Sequence, residues 1–238
     1  MMNVPPLEPD VALFLDFDGT LVELAPRPED VSVADGLVAS LSRLSARLDG
    51  ALAIVSGRPI SEIDRFLTPL NYPAAGLHGH ERRAHAQESI QRAEPTADIR
   101  ALKGVVRSSG LVKNGVTLED KGATIAVHFR DAPEREAQIS EMMSDALHAL
   151  PALHLVRGKM VLEAKPHGCD KGTSVLTFLK EAPFAGRRPV FIGDDVTDED
   201  GIAAAQDAGG IGIKVGPGES CAHYRLDDVE AVHRWLAG

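Results

Sequence analysis

No run of apolar residues in this chain approaches the ~20 that a membrane-crossing helix needs. Met1 to Asp10 likewise lacks the basic start and apolar stretch of a secretion signal. Cysteine is scarce. Cys169 and Cys221 are far apart and match no metal-ligand spacing, which excludes a disulfide framework and points to reduced thiols in a cytoplasmic protein. Positive charge is also short, with 25 Lys and Arg against 35 Asp and Glu and a formal net charge of -10. That balance argues against nucleic acid and anionic membranes as partners, because both reward a basic surface. Internal repeats and low-complexity tracts are absent as well. What is there, 44% hydrophobic and 25% charged residues over 238 positions, is the composition of an ordinary globular protein with core enough for one or two domains.

The stretch Leu13-Phe14-Leu15-Asp16-Phe17-Asp18-Gly19-Thr20-Leu21 organises the rest, since it ends an apolar run in two carboxylates one residue apart. Val11 to Leu15 has the uninterrupted apolar character of a parallel strand buried on both faces, and Gly19 breaks the extended conformation. Asp16 and Asp18 then sit at the strand's carboxyl end, where open α/β sheets bind ligands, and residues i and i+2 share a side of an extended chain. By itself the tripeptide fits a solvated turn equally well. A helix is expected over Ser32 to Leu48, capped by Ser32, with Leu37, Val38, Leu41, Leu44 and Leu48 at helical spacing. Ala51 to Val55 is a second apolar strand, ending in Ser56-Gly57-Arg58-Pro59 with Pro59 placed for the first turn of another helix. Strand, helix, strand implies a parallel pair, and a right-handed crossover puts Ser56 on the same sheet edge as the two aspartates. A third short apolar stretch leads into the loop Gly76-Leu77-His78-Gly79-His80-Glu81.

From about Arg82 to Asp98 the chain turns polar and loop-like, and the periodicity beyond is that of a different unit. Val116 to Leu118 and Ala123 to Arg130 read as a hairpin around Asp120-Lys121-Gly122. Its second arm carries Ile125, Val127 and Phe129 on one face and Thr124, Ala126, His128 and Arg130 on the other. Pro133 opens a helix whose Ile139, Met142, Met143, Ala146, Leu147 and Leu150 form a stripe suited to cover that hairpin. Arg157 to Lys165 reads as one more strand, with Met160, Leu162 and Ala164 on one side and Lys159, Val161, Glu163 and Lys165 on the other. After Pro166 the α/β pattern resumes, with a helical segment at Val175 to Lys180, buried strands at Pro189 to Ile192 and Ile211 to Val215, and a covering segment at Val229 to Leu236. The expected fold class is α/β: a doubly wound, mostly parallel Rossmann-like core over 1–86 and 165–238, interrupted by an inserted α+β unit over 87–164.

On this parse Asp16, Asp18, Ser56, Lys171, Asp194, Asp195 and Asp198 fall at loop positions on one sheet edge. Like charges about 4 Å apart repel by roughly 4 kcal/mol at an effective dielectric of 20, so several carboxylates stay ionised together only around a cation. All-oxygen ligands favour Mg²⁺. His78-x-His80 offers two zinc-type ligands but no third at recognisable spacing, and reads as loop histidines. Because Mg²⁺ keeps waters and phosphate oxygens around it, the cluster points to phosphoryl transfer with one carboxylate as nucleophile.

Asp16-Phe17-Asp18-Gly19-Thr20, Ser56-Gly57-Arg58, Lys171 and Gly193-Asp194-Asp195 resemble, in order, the successive motifs of the haloacid dehalogenase (HAD) superfamily. Within it, Gly76-x-His78-Gly79-x-Glu81, Glu119-x-Lys121-Gly122, Arg157-Gly158-Lys159, Glu163-x-Lys165-Pro166 and Gly193-Asp194-Asp195-x-Thr197-Asp198-Glu199 resemble trehalose-6-phosphate phosphatases. With a first strand near Val11 there is no room for the synthase domain fused to some relatives, and the chain is similar to the free-standing bacterial form. The resemblance implies a HAD core with a cap domain, acting as a cytoplasmic, monomeric, Mg²⁺-dependent phosphatase on trehalose 6-phosphate, a small phosphorylated disaccharide. It implies that Asp16 attacks phosphorus to form an aspartyl phosphate and that Asp18 protonates the leaving sugar oxygen, then deprotonates the hydrolytic water. Ser56 and Lys171 would hold the transferring phosphoryl group, and Asp16, Asp194 and the Asp18 carbonyl the Mg²⁺, with Asp195 and Asp198 behind them. Substrate contacts carry over to Gly57, Arg58, Glu119, Lys121, Arg130, Lys159 and Glu163, the expected strand registers putting Arg130, Lys159 and Glu163 on polar faces that alternatively are only solvated. His128 shares that face. Two other readings stay open: a capped phosphatase acting on sucrose phosphate or a mannosyl phosphoglycerate, and a catalytically silent binding domain, against which the Asp16 and Asp18 pair argues.

Overall fold

The structure, a computed structural model, describes residues 4–25, 27 and 30–238. They form two compact units, Met1–Gln91 with Asp170–Gly238, and Arg92–Cys169. The first unit begins with β1 (Val11–Leu15), α1 (Leu37–Arg47), β2 (Leu52–Val55), α2 (Ile60–Phe66), β3 (Ala74–Gly76), β4 (Glu81–Arg83) and β5 (Gln91–Arg92). The second holds α3 (Ala97–Ser108), β6 (Thr117–Asp120), β7 (Ile125–His128), α4 (Glu136–His148), β8 (Leu153–Gly158) and β9 (Val161–Pro166). The chain then returns to the first unit with α5 (Lys171–Phe178), β10 (Arg188–Gly193), α6 (Glu199–Asp207), β11 (Ile211–Val215), β12 (Tyr224–Leu226) and α7 (Val229–Ala237).

The first unit is a doubly wound α/β fold on an eight-stranded sheet of order β12-β11-β10-β1-β2-β3-β4-β5. β1 lies at its centre, parallel to β10 on one side and β2 on the other. A strand enclosed in this way has no solvent face, which is why all five of its residues are apolar and buried. Phe14 of β1 packs its ring 6.0 Å from Phe178 of α5 and 5.4 Å from Phe184, fixing the helix against the strand. The parallel order puts the carboxyl ends of β1, β2, β10 and β11 along one edge.

Several local expectations change. α1 starts at Leu37 and is capped by Gly36, whose φ of 84° ends the preceding turn; Ser32 lies outside the helix. Pro59 is the residue before α2 and not part of its first turn. α5 begins four positions before the expected Val175, because Asp170 forms a capping box with Thr173. The division between units also falls later than 87 and 165: β3, β4 and β5 extend the first sheet so that the division falls within β5, after Gln91, and β9 keeps Lys165 and Pro166 in the second unit.

The second unit has a four-stranded sheet, β6-β7-β9-β8, antiparallel throughout. Ile125 and Val127 of β7 and Leu162 and Ala164 of β9 form its core with Ile99, Leu102 and Val106 of α3 and Ile139 and Met143 of α4. α3 occupies a stretch that begins inside the segment read as loop; Thr96 caps it by accepting the Ile99 N–H at 3.2 Å. Arg157 to Lys165 is not one strand. The ladder pair Gly158 and Val161 closes a two-residue turn at Lys159 and Met160, with Met160 at φ 63°, so Met160 is exposed instead of facing inward. Lys159 and Arg130 therefore lie in turns and not on a strand face. No helix among the described residues is long and apolar enough to cross a membrane.

Candidate active site

β1 and β10 run side by side with Leu15 opposite Ile192, so Asp16 and Asp194 leave the sheet as near neighbours. Asp16, Asp194 and Asp198 each place a carboxylate oxygen within 4.8 Å of the other two. Asp198 gets there through a tight 3-10 turn, Val196–Asp198. Fully buried, it accepts the Asp194 and Asp195 backbone N–H groups on Oδ2, at 3.1 and 2.9 Å, and Lys171 on Oδ1 at 2.6 Å. Lys171 also donates to Asp16 Oδ1 at 2.6 Å. A cation in the first turn of a helix opposes the helix dipole. Its place at the start of α5 is offset by these two carboxylates. Gly19 is required beside them, since its φ is 75° and a Cβ there would lie 2.1 Å from Asp194 Oδ2.

Burial pushes the Asp16 carboxyl up to about 7, Lys171 opposing and Asp198 adding to the shift. Asp194 is pushed up to about 6 by burial and then by Asp198 and Asp195. Burial alone would lower Lys171, but Asp16 and Asp198 hold it above its ordinary value. The ammonium is thus the fixed charge and Asp16 the soft one. Three carboxylates share the ammoniums of Lys171 and, through the Asp194 carbonyl, Lys214, which leaves net negative charge for a proton or a cation to balance. Asp194 Oδ1 is buried with no hydrogen-bond partner. An all-carboxylate donor set with an unsatisfied oxygen and this charge deficit fits Mg²⁺. The group of three such ligands found among the described residues contains no histidine. His78 instead lines the loop after β2: a Cβ on Gly57 would lie 2.8 Å from its Nε2.

Asp18 is placed differently from Asp16. Arg58 grips it in a bidentate pair, Nε to Oδ2 at 2.6 Å and a terminal nitrogen to Oδ1 at 2.8 Å. Arg58 is itself held by Glu62 at 3.0 Å and lies 5.2 Å from the Phe66 ring centre. Ser56 is buried at the end of β2, and its Oγ accepts the Arg58 N–H at 3.2 Å, which leaves the hydroxyl proton to donate. Asp195 is exposed and caps the Val196 N–H, outside the carboxylate cluster.

In the second unit Glu119, Ala126 and Glu163 stand in register across β6, β7 and β9. The small Ala126 separates two carboxylates on one face. Lys121 lies 3.5 Å from Glu163 and 3.9 Å from Glu119, Thr124 donates to Glu163 at 3.1 Å, and Lys165 pairs with Glu163 at 3.2 Å. His128 is part of this network through Glu119 at 2.8 Å. Arg130 and Lys159 are exposed turn residues.

Asp198, expected behind the ligands, joins Lys171 to the Asp194 loop through its two carboxylate oxygens. Lys214, which belongs to none of the motifs, is buried in β11 and donates to the Asp194 carbonyl. The available signal was a lysine inside an otherwise apolar central run.

Comparison with known proteins agrees with this geometry. The trehalose-phosphatase family model matches residues 14–230. A probable trehalose-phosphate phosphatase of Sinorhizobium fredii is 45% identical over 207 residues, 87% of this chain and 78% of that protein. The trehalose-6-phosphate phosphatase of Escherichia coli is 39% identical over 236 residues, 99% of this chain and 89% of its own length. A crystal structure described as a trehalose-6-phosphate phosphatase related protein superposes with a TM-score of 0.70 at 28% identity, over 94% of each chain. With its motifs on one sheet edge and a match through both units, the chain is a phosphatase and belongs to the trehalose-phosphatase family.

Proposed function

We propose that the chain hydrolyses trehalose 6-phosphate to trehalose and phosphate, with Asp16 as the nucleophile and Mg²⁺ as the cofactor. The observation that carries the chemistry is the buried Asp16, Lys171, Asp198 and Asp194 cluster; the relatives' names carry the substrate. Asp16, Asp194 and the Asp18 carbonyl would hold Mg²⁺, which when bound supplies charge neutralisation for a phosphoryl group. Asp16 attacks phosphorus and the phosphorus to sugar-oxygen bond breaks, giving an aspartyl phosphate. Asp18 delivers a proton to the leaving sugar oxygen and later takes one from the water that hydrolyses the intermediate. To carry that proton Asp18 has to give up at least one of its two Arg58 contacts. The Ser56 hydroxyl and the Lys171 ammonium stabilise charge on the phosphoryl oxygens. Phosphate release should be measured over trehalose 6-phosphate, sucrose 6-phosphate and glucose 6-phosphate, with Mg²⁺ and with EDTA. Trehalose 6-phosphate is expected to be fastest and EDTA to stop the reaction. Faster turnover of sucrose 6-phosphate would overturn the substrate, and full activity in metal-free protein would overturn the cofactor.

The polar face around Glu119, Lys121 and Glu163 is proposed to recognise the sugar, because a disaccharide needs many hydrogen-bonding partners. Glu163→Gln keeps the shape but loses the charge. It is expected to lower kcat/KM for trehalose 6-phosphate about tenfold to a hundredfold, the equivalent of ~1.5–3 kcal/mol for one charged hydrogen bond. Slow hydrolysis of a small aryl phosphate should change little. Lys159→Ala, in an exposed turn, should have the smaller effect. Equal losses on both substrates for Glu163→Gln would assign Glu163 to stability or chemistry instead.

A further inference from the structure

We infer that Lys214 is a positioning residue for the aspartate loop: it holds the Asp194 backbone so that the Asp194 carboxylate is aimed into the cluster, and so sets the cluster's affinity for a divalent cation. The inference rests on the reading of that cluster as an Mg²⁺ site. β11 runs between β10 and β12, with Gly193 opposite Lys214. The side chain is therefore enclosed beside the loop that begins at Asp194, and Lys214 is buried. A buried ammonium is costly unless partners compensate it. Among the described residues Lys214 has no carboxylate within the 4.0 Å of an ion pair, and its hydrogen bond goes to the Asp194 carbonyl.

That choice of acceptor separates the two buried lysines. Lys171 occupies one oxygen of Asp16 and one of Asp198. Lys214 brings positive charge to the same loop while leaving the Asp194 carboxylate untouched, and Asp194 Oδ1 remains without a hydrogen-bond partner. On the other side of the residue, the Asp194 N–H donates to Asp198 Oδ2. The N–H and C=O of Asp194 are thus both tied to buried charged side chains. A residue pinned at both backbone groups has its Cα–Cβ direction fixed, which limits its carboxylate to the rotamers that start from that direction. Without Lys214 the carbonyl end is released.

The test is thermal unfolding of metal-free protein titrated with MgCl₂, for wild type, Lys214→Met and Lys214→Gln. Met keeps length and apolar packing without a donor, and Gln keeps a donor without the charge. Lys214→Met is expected to need about tenfold or more Mg²⁺ for half of the stabilisation, the range typical for residues that orient metal ligands. KM for trehalose 6-phosphate at saturating Mg²⁺ should hold, separating metal positioning from substrate binding. Lys214→Gln should fall between. A folded Lys214→Met with the wild-type Mg²⁺ midpoint overturns the inference, as does Lys214→Gln at that midpoint if Lys214→Met fails to fold. If wild type itself shows no Mg²⁺ stabilisation, the metal reading fails and this inference with it.

Discussion

Asp16→Asn is expected to lose turnover by roughly 10⁴-fold or more, on the scale seen when a covalent nucleophile is removed, while staying folded. The substitution keeps the size and one hydrogen-bonding oxygen for Lys171, but an amide does not attack phosphorus. Its effect on stability has the opposite sign. Asp16 rises from an ordinary 3.8 to about 7 in the folded chain, so the native state holds that proton more tightly than the unfolded one. Its contribution to stability is full below about pH 4 and is lost as pH rises through about 7. Asn stays neutral throughout. In EDTA the variant should therefore match the parent at pH 4 and melt at an equal or higher temperature at pH 8. Phosphate release and thermal melts at the two pH values test both halves. Turnover near the parent's would remove Asp16 from the covalent role. A lower melting temperature at pH 8 would show that pairing with Lys171 outweighs burial.

Asp198→Ala should be the most destabilising change at the site. It leaves Lys171 with Asp16 alone, and leaves the Asp194 and Asp195 N–H groups without the oxygen they share. Removing one partner of a buried ion pair costs about 3–5 kcal/mol, because the other charge stays buried. Activity should fall with it, since the same carboxylate fixes both the lysine and the loop that carries Asp194. Asp198→Asn, which keeps one acceptor oxygen, should lose less. In denaturant unfolding of metal-free protein, the double variant Lys171→Met/Asp198→Ala should lose less than the sum of the two single changes, since no charge is left alone. A loss under about 1 kcal/mol for Asp198→Ala would contradict the bridging role.

The strands that carry the chemistry were legible because each is enclosed on both faces. β1, β2 and β10 are largely apolar runs, and each leads into a loop that bears motif residues. Where burial is partial, the signal weakens. α3 hides behind a polar stretch although Thr96, Ile99, Leu102 and Val106 are spaced for a capped helix. β8 and β9 read as one strand because the turn at Lys159 and Met160 has neither Asn nor Gly in it. Lys159 in that turn, and Arg130 two residues past the end of β7, therefore lie off the face where Glu119 and Glu163 stand.

The sequence alone determined the fold class, the order of the motifs and the sheet edge on which Asp16, Ser56, Lys171 and Asp194 gather, because periodicity and strand direction are local properties that burial writes into composition. Only the tertiary structure decided which charge meets which. Lys171 reaches Asp16 across 155 positions, Arg58 takes Asp18, Asp198 joins Lys171 to the Asp194 backbone, and Lys214 closes that loop from the neighbouring strand. Such pairings depend on distances of a few ångströms between segments remote in the chain, where each buried charge has to find a partner, and no local pattern of residues records which one it finds.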